Sequence, residues 1–192
     1  LSGLQSDFPD VQKVTVTATS AVRDAANRDG FMQEVKHQTD FDIRLLSGRE
    51  EAEWTAAGAL SVLEITSDTE TLILDIGGGS TEVAQLHRGK INDAHSFDMG
   101  SVRYTERFLK DNPPTLEQVS ACRIEIERLF ESRPFETTNK IQAVGVAGTL
   151  TTLAALAQEM TDYQPAKLNG FELKLETIKN YIRLFGEKSC EE

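Results

Sequence analysis

The chain has 192 residues, with 20 Lys and Arg against 31 Asp and Glu, a formal net charge of −11. Hydrophobic residues make up 39% and charged residues 27%, the balance of a soluble globular chain with one good-sized domain, or a small domain and part of another. This excludes a basic nucleic-acid-binding arm, since no Lys/Arg run exists, and a membrane span, since apolar runs such as Ala143–Ala147 are far too short.

Cys122 and Cys190 form no Cys-x-x-Cys pair, so neither a zinc site nor a disulfide framework is expected, and a reducing, cytoplasmic setting follows. The chain opens on Leu1 without a cleavage signal, which points to a processed or truncated piece.

In chain order, Val14–Thr19 alternates valine and threonine and reads as a strand. A helix over Asn27–Gln38 follows, with Phe31 and Val35 on one face, then a short strand at Ile43–Leu46. Glu50–Leu63 carries Ala52, Ala56, Ala59, Leu60 and Leu63 on one stripe, a buried helix face of small residues. Thr71–Ile76 and Thr81–Leu86 are strands joined through Gly77-Gly78-Gly79-Ser80, which predicts a β-hairpin. Another strand is expected to end near Met99-Gly100, before a helix over Ser101–Leu109. Thr115 and Gln118 form a capping box for a helix burying Val119, Cys122, Ile126, Leu129 and Phe130. Ile141–Val146 is the next strand and Thr149–Gln158 the next helix. Asn169-Gly170 marks a turn, and Ile178, Tyr181, Ile182 and Phe185 form the stripe of a last helix. The class is α/β with a mixed sheet, because a hairpin is incompatible with an all-parallel one.

Asp75-Ile-Gly-Gly-Gly-Ser-Thr-Glu82 is the most informative stretch. Successive glycines let backbone approach a ligand closely, and their N–H groups can form a nest for phosphate oxygens. Ser80 and Thr81 add hydroxyls, while Asp75 and Glu82 flank the mouth of the loop. Phosphate beside carboxylates is repulsive unless a cation bridges them, which suits Mg2+ or, in its place, Mn2+. A plain glycine-rich turn is the competing reading. Gly145-Val146-Ala147-Gly148-Thr149 is a second glycine-lined turn, where N–H groups and a helix dipole favour an anion. In Ser47-Gly-Arg-Glu50-Glu51, the capping box occupies Glu50 and leaves Glu51 unspent. A carboxylate there can take a proton from water, or it simply complements the dipole. Arg23, at the end of the first strand, can grip a phosphate, or pair with Asp24 or Asp29 on the surface. His37, His87 and His95 show no metal-ligand spacing.

The segments ATSAVRDAANRDGF, LLSGREEAEWTAAGAL, LILDIGGGSTEV, DMGSVRYTERF and VGVAGTLTTLAAL occur in that order. Together they resemble the exopolyphosphatase/guanosine pentaphosphate phosphohydrolase family of the actin-like ATPase superfamily, over about Val11 to Ala157. The resemblance implies two ribonuclease-H-like lobes around a cleft holding Mg2+ and phosphates. It implies that Glu51 is the catalytic glutamate, that Arg23 contacts phosphate, and that Asp75 and Glu82 surround metal and water. Gly77, Gly78, Gly79, Ser80 and Thr81 match the second phosphate loop. Gly145, Gly148 and Thr149 match a loop that lies near the nucleoside in nucleotide-binding relatives.

The family's first phosphate loop, of the D-x-G-S/T-N-S type, has no counterpart before Val14. Residues 1–50 are therefore expected to be the tail of the first lobe, and residues 51–192 a second lobe truncated at its C-terminal end. The implied reaction is hydrolysis of terminal phosphoanhydrides of polyphosphate or guanosine pentaphosphate, by a protein that dimerises at full length and binds no nucleic acid. A kinase or ATPase of the same superfamily, a non-hydrolytic polyphosphate or guanosine tetraphosphate sensor, and a structural domain are the alternatives.

Overall fold

The computed structural model describes residues 3, 7, 8, 10–63, 70–135 and 141–189; Cys190 lies outside them. Strands β1 (Val16–Ala18) and β2 (Ile43–Leu45) pair in parallel, joined through α1 (Ser20–Arg23) and α2 (Arg28–Thr39). Helix α3 (Gly48–Leu60) leads to a four-stranded sheet of β3 (Glu70–Ile76), β4 (Thr81–His87), β5 (Lys90–Phe97) and β6 (Ile141–Val146). Its order is β5-β4-β3-β6, with β3–β4 and β4–β5 antiparallel and β3–β6 parallel, so the sheet is mixed as the hairpin required. Between β5 and β6 lie α4 (Ser101–Phe108) and α5 (Leu116–Ser132); α6 (Ala147–Ala157), α7 (Pro165–Leu168) and α8 (Leu175–Glu187) follow.

Strand alternation divides the side chains between two faces. Ile73, Ala84, Leu86 and Ala94 pack against Ala52, Ala56 and Ala59 of α3, whose small residues bring the helix close to the sheet. Val83, Phe97, Met99 and Tyr104 form the other cluster, covered by Cys122, Ile126, Leu129 and Phe130 of α5. Both expected capping boxes are present, Ser47–Glu50 on α3 and Thr115–Gln118 on α5.

Several expected elements shift. β1 shortens to its central residues, and β5 ends at Phe97, so Met99-Gly100 becomes a connection. Helix α6 starts two residues early because Ala147 turns the chain through φ 62° directly after Val146. The apolar stripe of α5 is half-buried rather than buried, and Phe31 of α2 is exposed. The α8 stripe is only partly covered, with Ile178 and Tyr181 half-buried and Ile182 and Phe185 exposed. Among the described residues no helix is long and apolar enough to cross a membrane.

Candidate active site

The face of the sheet under α3 is apolar along most of its length and turns polar at one end. Asp75 and Glu82 are cross-strand partners and therefore share a face. Both continue the rows of Ile73 and Ala84 toward the end where α3 begins. Ser96 sits opposite Glu82 on β5 and donates its hydroxyl to Glu82 Oε1 at 2.6 Å. Two turns into α3, Thr55 donates to Asp75 Oδ2 at 3.3 Å. Glu51, a further turn back on the same helix, accepts from Arg23 Nη1 at 3.2 Å. The same guanidinium holds the Leu46 carbonyl at 3.0 Å, fixing Arg23 at the start of α3.

Burial pushes the carboxyls of Asp75 and Glu82 above their usual range. For Glu82 the charges of Glu51 and Asp75 push further, while hydrogen bonds from Ser96 and Ser80 pull back. Neither acid has a basic partner among the described residues, although Glu82 is only 3% exposed. A half-buried and a buried carboxylate with no basic partner among the described residues fit a hard divalent ion. Among the described residues no three His, Cys, Asp or Glu side chains form a metal cage. Mg2+ needs no such cage, since it binds through one or two carboxylates and keeps water and phosphate as its other ligands.

The glycine loop is seated on the N-terminus of α4. Ser101 N–H donates to the Gly77 carbonyl at 2.9 Å, and the Val102 and Arg103 N–H groups donate to the Gly78 carbonyl at 3.0 Å. Arg103 Nε donates to the Gly79 carbonyl at 2.6 Å, and its guanidinium pairs with Asp24. Gly100 lies so close beneath that a Cβ there would come within 2.4 Å of the Gly78 oxygen. A Cβ on Gly79 would meet the Ser20 hydroxyl at 2.8 Å. In a trans peptide the N–H points opposite to the preceding C=O. The N–H groups of Gly78, Gly79 and Ser80 are therefore turned away from α4, and none donates to an acceptor among the described residues.

The second loop adjoins the first. Thr149 donates its hydroxyl to the Ile76 carbonyl at 2.7 Å, at the start of the glycine loop. Between them opens a cavity of about 490 Å3, lined by Gly77, Gly78, Gly148 and Thr149 on one side and Leu153, Leu156 and Phe185 on the other.

The structure thus brings together Arg23, Glu51, Asp75, Glu82 and the Gly77–Ser80 loop, with Gly148 and Thr149 beside it. Arg23 pairs with Glu51 rather than with Asp24 or Asp29, which bind Arg103 and Arg28. Thr81 points to the opposite face, where its buried hydroxyl donates to the Met99 carbonyl at 2.8 Å. Gly145 lies under Leu150, whose side chain a Cβ would meet at 2.4 Å, so its glycine answers to packing. Sequence reasoning missed Ser20, Thr55, Ser96 and Arg103. Ser20, Thr55 and Arg103 stand in the quoted ATSAVRDAANRDGF, LLSGREEAEWTAAGAL and DMGSVRYTERF segments, the signal available for them, while Ser96 lies outside every quoted segment.

Comparison with known proteins bears on the family and the fold. Exopolyphosphatase 2 of Mycobacterium tuberculosis is 39% identical over 171 residues, covering 84% of this chain and 52% of that protein. The chain therefore spans about half the length of this relative. The solved Aquifex aeolicus PPX-GPPA enzyme superposes with a TM-score of 0.80 at 31% identity, over 99% of this chain and 62% of that one. An exopolyphosphatase-like protein of known structure gives 0.88 at 30% identity, over 98% and 61%. The fold is accordingly the ribonuclease-H-like one of actin-like ATPases. The profile of the Ppx/GppA phosphatase family matches residues 5–192, and the chain belongs to that family.

Proposed function

We propose that this chain carries the central part of a Mg2+-dependent phosphoanhydride hydrolase, which releases the terminal phosphate of inorganic polyphosphate. One observation carries the reading: free N–H groups, two carboxylates without a counter-cation and the Arg23–Glu51 pair meet at the same end of the sheet. The exopolyphosphatase name of the mycobacterial relative supports the substrate class.

The N–H groups of Gly78, Gly79 and Ser80 bind the non-bridging oxygens of the terminal phosphoryl group. Donors already aligned before substrate arrives stabilise charge in the transition state most effectively. Mg2+, held by Asp75 and Glu82, supplies charge neutralisation when bound. Glu51 orients the attacking water and takes its proton, while Arg23 holds the Glu51 carboxylate in place and reaches toward phosphate. The water oxygen bonds to phosphorus, the bridging oxygen leaves with the shortened chain, and orthophosphate departs. Glu51, placed to activate water, favours hydrolysis over a kinase's transfer to an acceptor. Residues 1–50 would then belong to one wall of the cleft and the four-stranded sheet to the other.

The cavity favours a second substrate. Its Leu153, Leu156 and Phe185 wall suits a flat, apolar group joined to phosphates at the glycine loop, as guanosine pentaphosphate would present. Phosphate release from polyphosphate and from guanosine pentaphosphate, with no acceptor present, tests both substrates. Glu51→Gln is expected to lower turnover by about 10²–10⁴-fold while calorimetric binding of pyrophosphate persists. Undiminished release by that variant, or activity unaffected by excess chelator, would overturn the mechanism.

A further inference from the structure

Three consecutive carbonyls, those of Gly77, Gly78 and Gly79, are turned toward α4, but they are held in different ways. The first two accept main-chain N–H groups from the first turn of the helix. A helix has only so many free N–H groups within reach of one loop, and the third carbonyl takes the Arg103 side chain instead, at 2.6 Å. The guanidinium thus extends the row of donors that the helix terminus begins. Its other end pairs with Asp24, the residue after Arg23. Asp24 is fixed in turn by its own N–H, which donates to the Ser20 carbonyl at 2.9 Å, and Ser20 abuts Gly79.

We infer that Arg103 is a positioning residue for the phosphate loop: it holds the Gly79–Ser80 peptide so that the Ser80 N–H faces substrate, and Asp24 keeps its guanidinium in register with Arg23 and Glu51. The inference rests on the phosphate reading of the loop for its ligand, and on geometry alone for the orientation of the peptide. An exposed ion pair contributes little to stability by itself, and both partners here are about a third exposed. The value of the pair lies in direction. A planar fork can serve a carbonyl and a carboxylate at once, which a lysine ammonium on a flexible stem does poorly. The same pair ties the loop to the segment that carries Arg23, so two phosphate-facing groups from distant parts of the sequence share one anchor.

Backbone 15N relaxation and pyrophosphate calorimetry test this on the ligand-free chain and its Mg2+ complex. In the wild type, the Gly78, Gly79 and Ser80 amides are expected to be rigid, with order parameters near about 0.85. Arg103→Met is expected to drop Ser80 below about 0.6 and leave Gly78 rigid, since the Gly77 carbonyl keeps its helix donor. Arg103→Lys is expected to restore Ser80 only in part. Asp24→Asn gives a milder loosening without disturbing the fold, and Arg107→Met, on the same helix but away from the loop, gives none. Pyrophosphate binding with Mg2+ is expected to weaken by about tenfold in Arg103→Met.

A Ser80 amide as rigid in Arg103→Met as in the wild type would overturn the inference. So would full rescue by lysine, or pyrophosphate affinity within about twofold of wild type. A wild-type chain that fails to bind pyrophosphate would instead refute the phosphate reading, while the relaxation measurement would still decide what Arg103 does.

Discussion

Glu50 accepts the Ser47 N–H at 2.9 Å and the Arg44 guanidinium at 2.6 Å, which together with the Ser47 hydroxyl hold its carboxyl at about 2, down from 4.5. Its neighbour Glu51 is turned under the helix to Arg23. Adjacent acids thus have unlike tasks, and the sorting was legible from sequence because a capping box is a local pattern of fixed spacing. The partner of Arg23 was not legible, since Glu51 lies 28 residues away and nothing local prefers it over Asp24 or Asp29. A depressed pKa means that the charged form is favoured by folding. The contribution of Glu50 is therefore complete above about 4.5 and fades as pH falls through about 2. Thermal denaturation should show Glu50→Gln melting below wild type at neutral pH, with the gap narrowing across that window and closing near its lower end.

At the scale of elements, the docking of α3 decides the distance between Glu51 and Glu82. Gly48 begins the helix directly against β5, and a Cβ there would lie 2.4 Å from Ser96 Cβ. The same Ser96 hydroxyl orients Glu82. Gly48→Ala should therefore push the helix end outward, costing about 1–3 kcal/mol from overpacking and lowering Tm by several degrees. Because the two residues are in contact, adding Ser96→Gly should recover most of the loss of packing but not the Glu82 hydrogen bond. Additive losses in the double variant would show that the contact is not what matters.

Strand and helix identities followed from periodicity and caps, and so did the mixed sheet, because its hairpin announces an antiparallel pair. The placing of Asp75 and Glu82 at the mouth of the glycine loop followed as well, though not their pairing across the strands. What escaped were long-range contacts such as Gly48–Ser96 and Thr55–Asp75, which depend on how a helix is laid across a sheet, and the side of the strand on which Thr81 falls. Sequence showed the α5 and α8 stripes as apolar, but whether a stripe is covered depends on neighbours that periodicity does not name.

At the scale of the whole molecule, a chain of net charge −11 would, on the proposed reading, attract an oligophosphate only at short range. Beyond a Debye length, about 8 Å at physiological salt, the field is repulsive. The association rate of pyrophosphate, followed by stopped flow with Mg2+ held constant, should therefore rise as NaCl increases from about 10 mM to about 150 mM. A basic groove would give the opposite slope, and a falling rate would show that a local positive field reaches further than the net charge suggests.

The Thr149–Ile76 hydrogen bond has a mechanical consequence at this scale. It staples the second bend to the root of the first, so the two make a single stationary jaw, backed by the sheet. The segment around β1 and β2 is tied to that jaw and to α3 by the Arg23–Glu51, Asp24–Arg103 and Arg44–Glu50 ion pairs. On the proposed phosphatase reading, an opening that released product would load the Arg23 and Arg103 pairs, which places the latch and the chemistry on the same side chains.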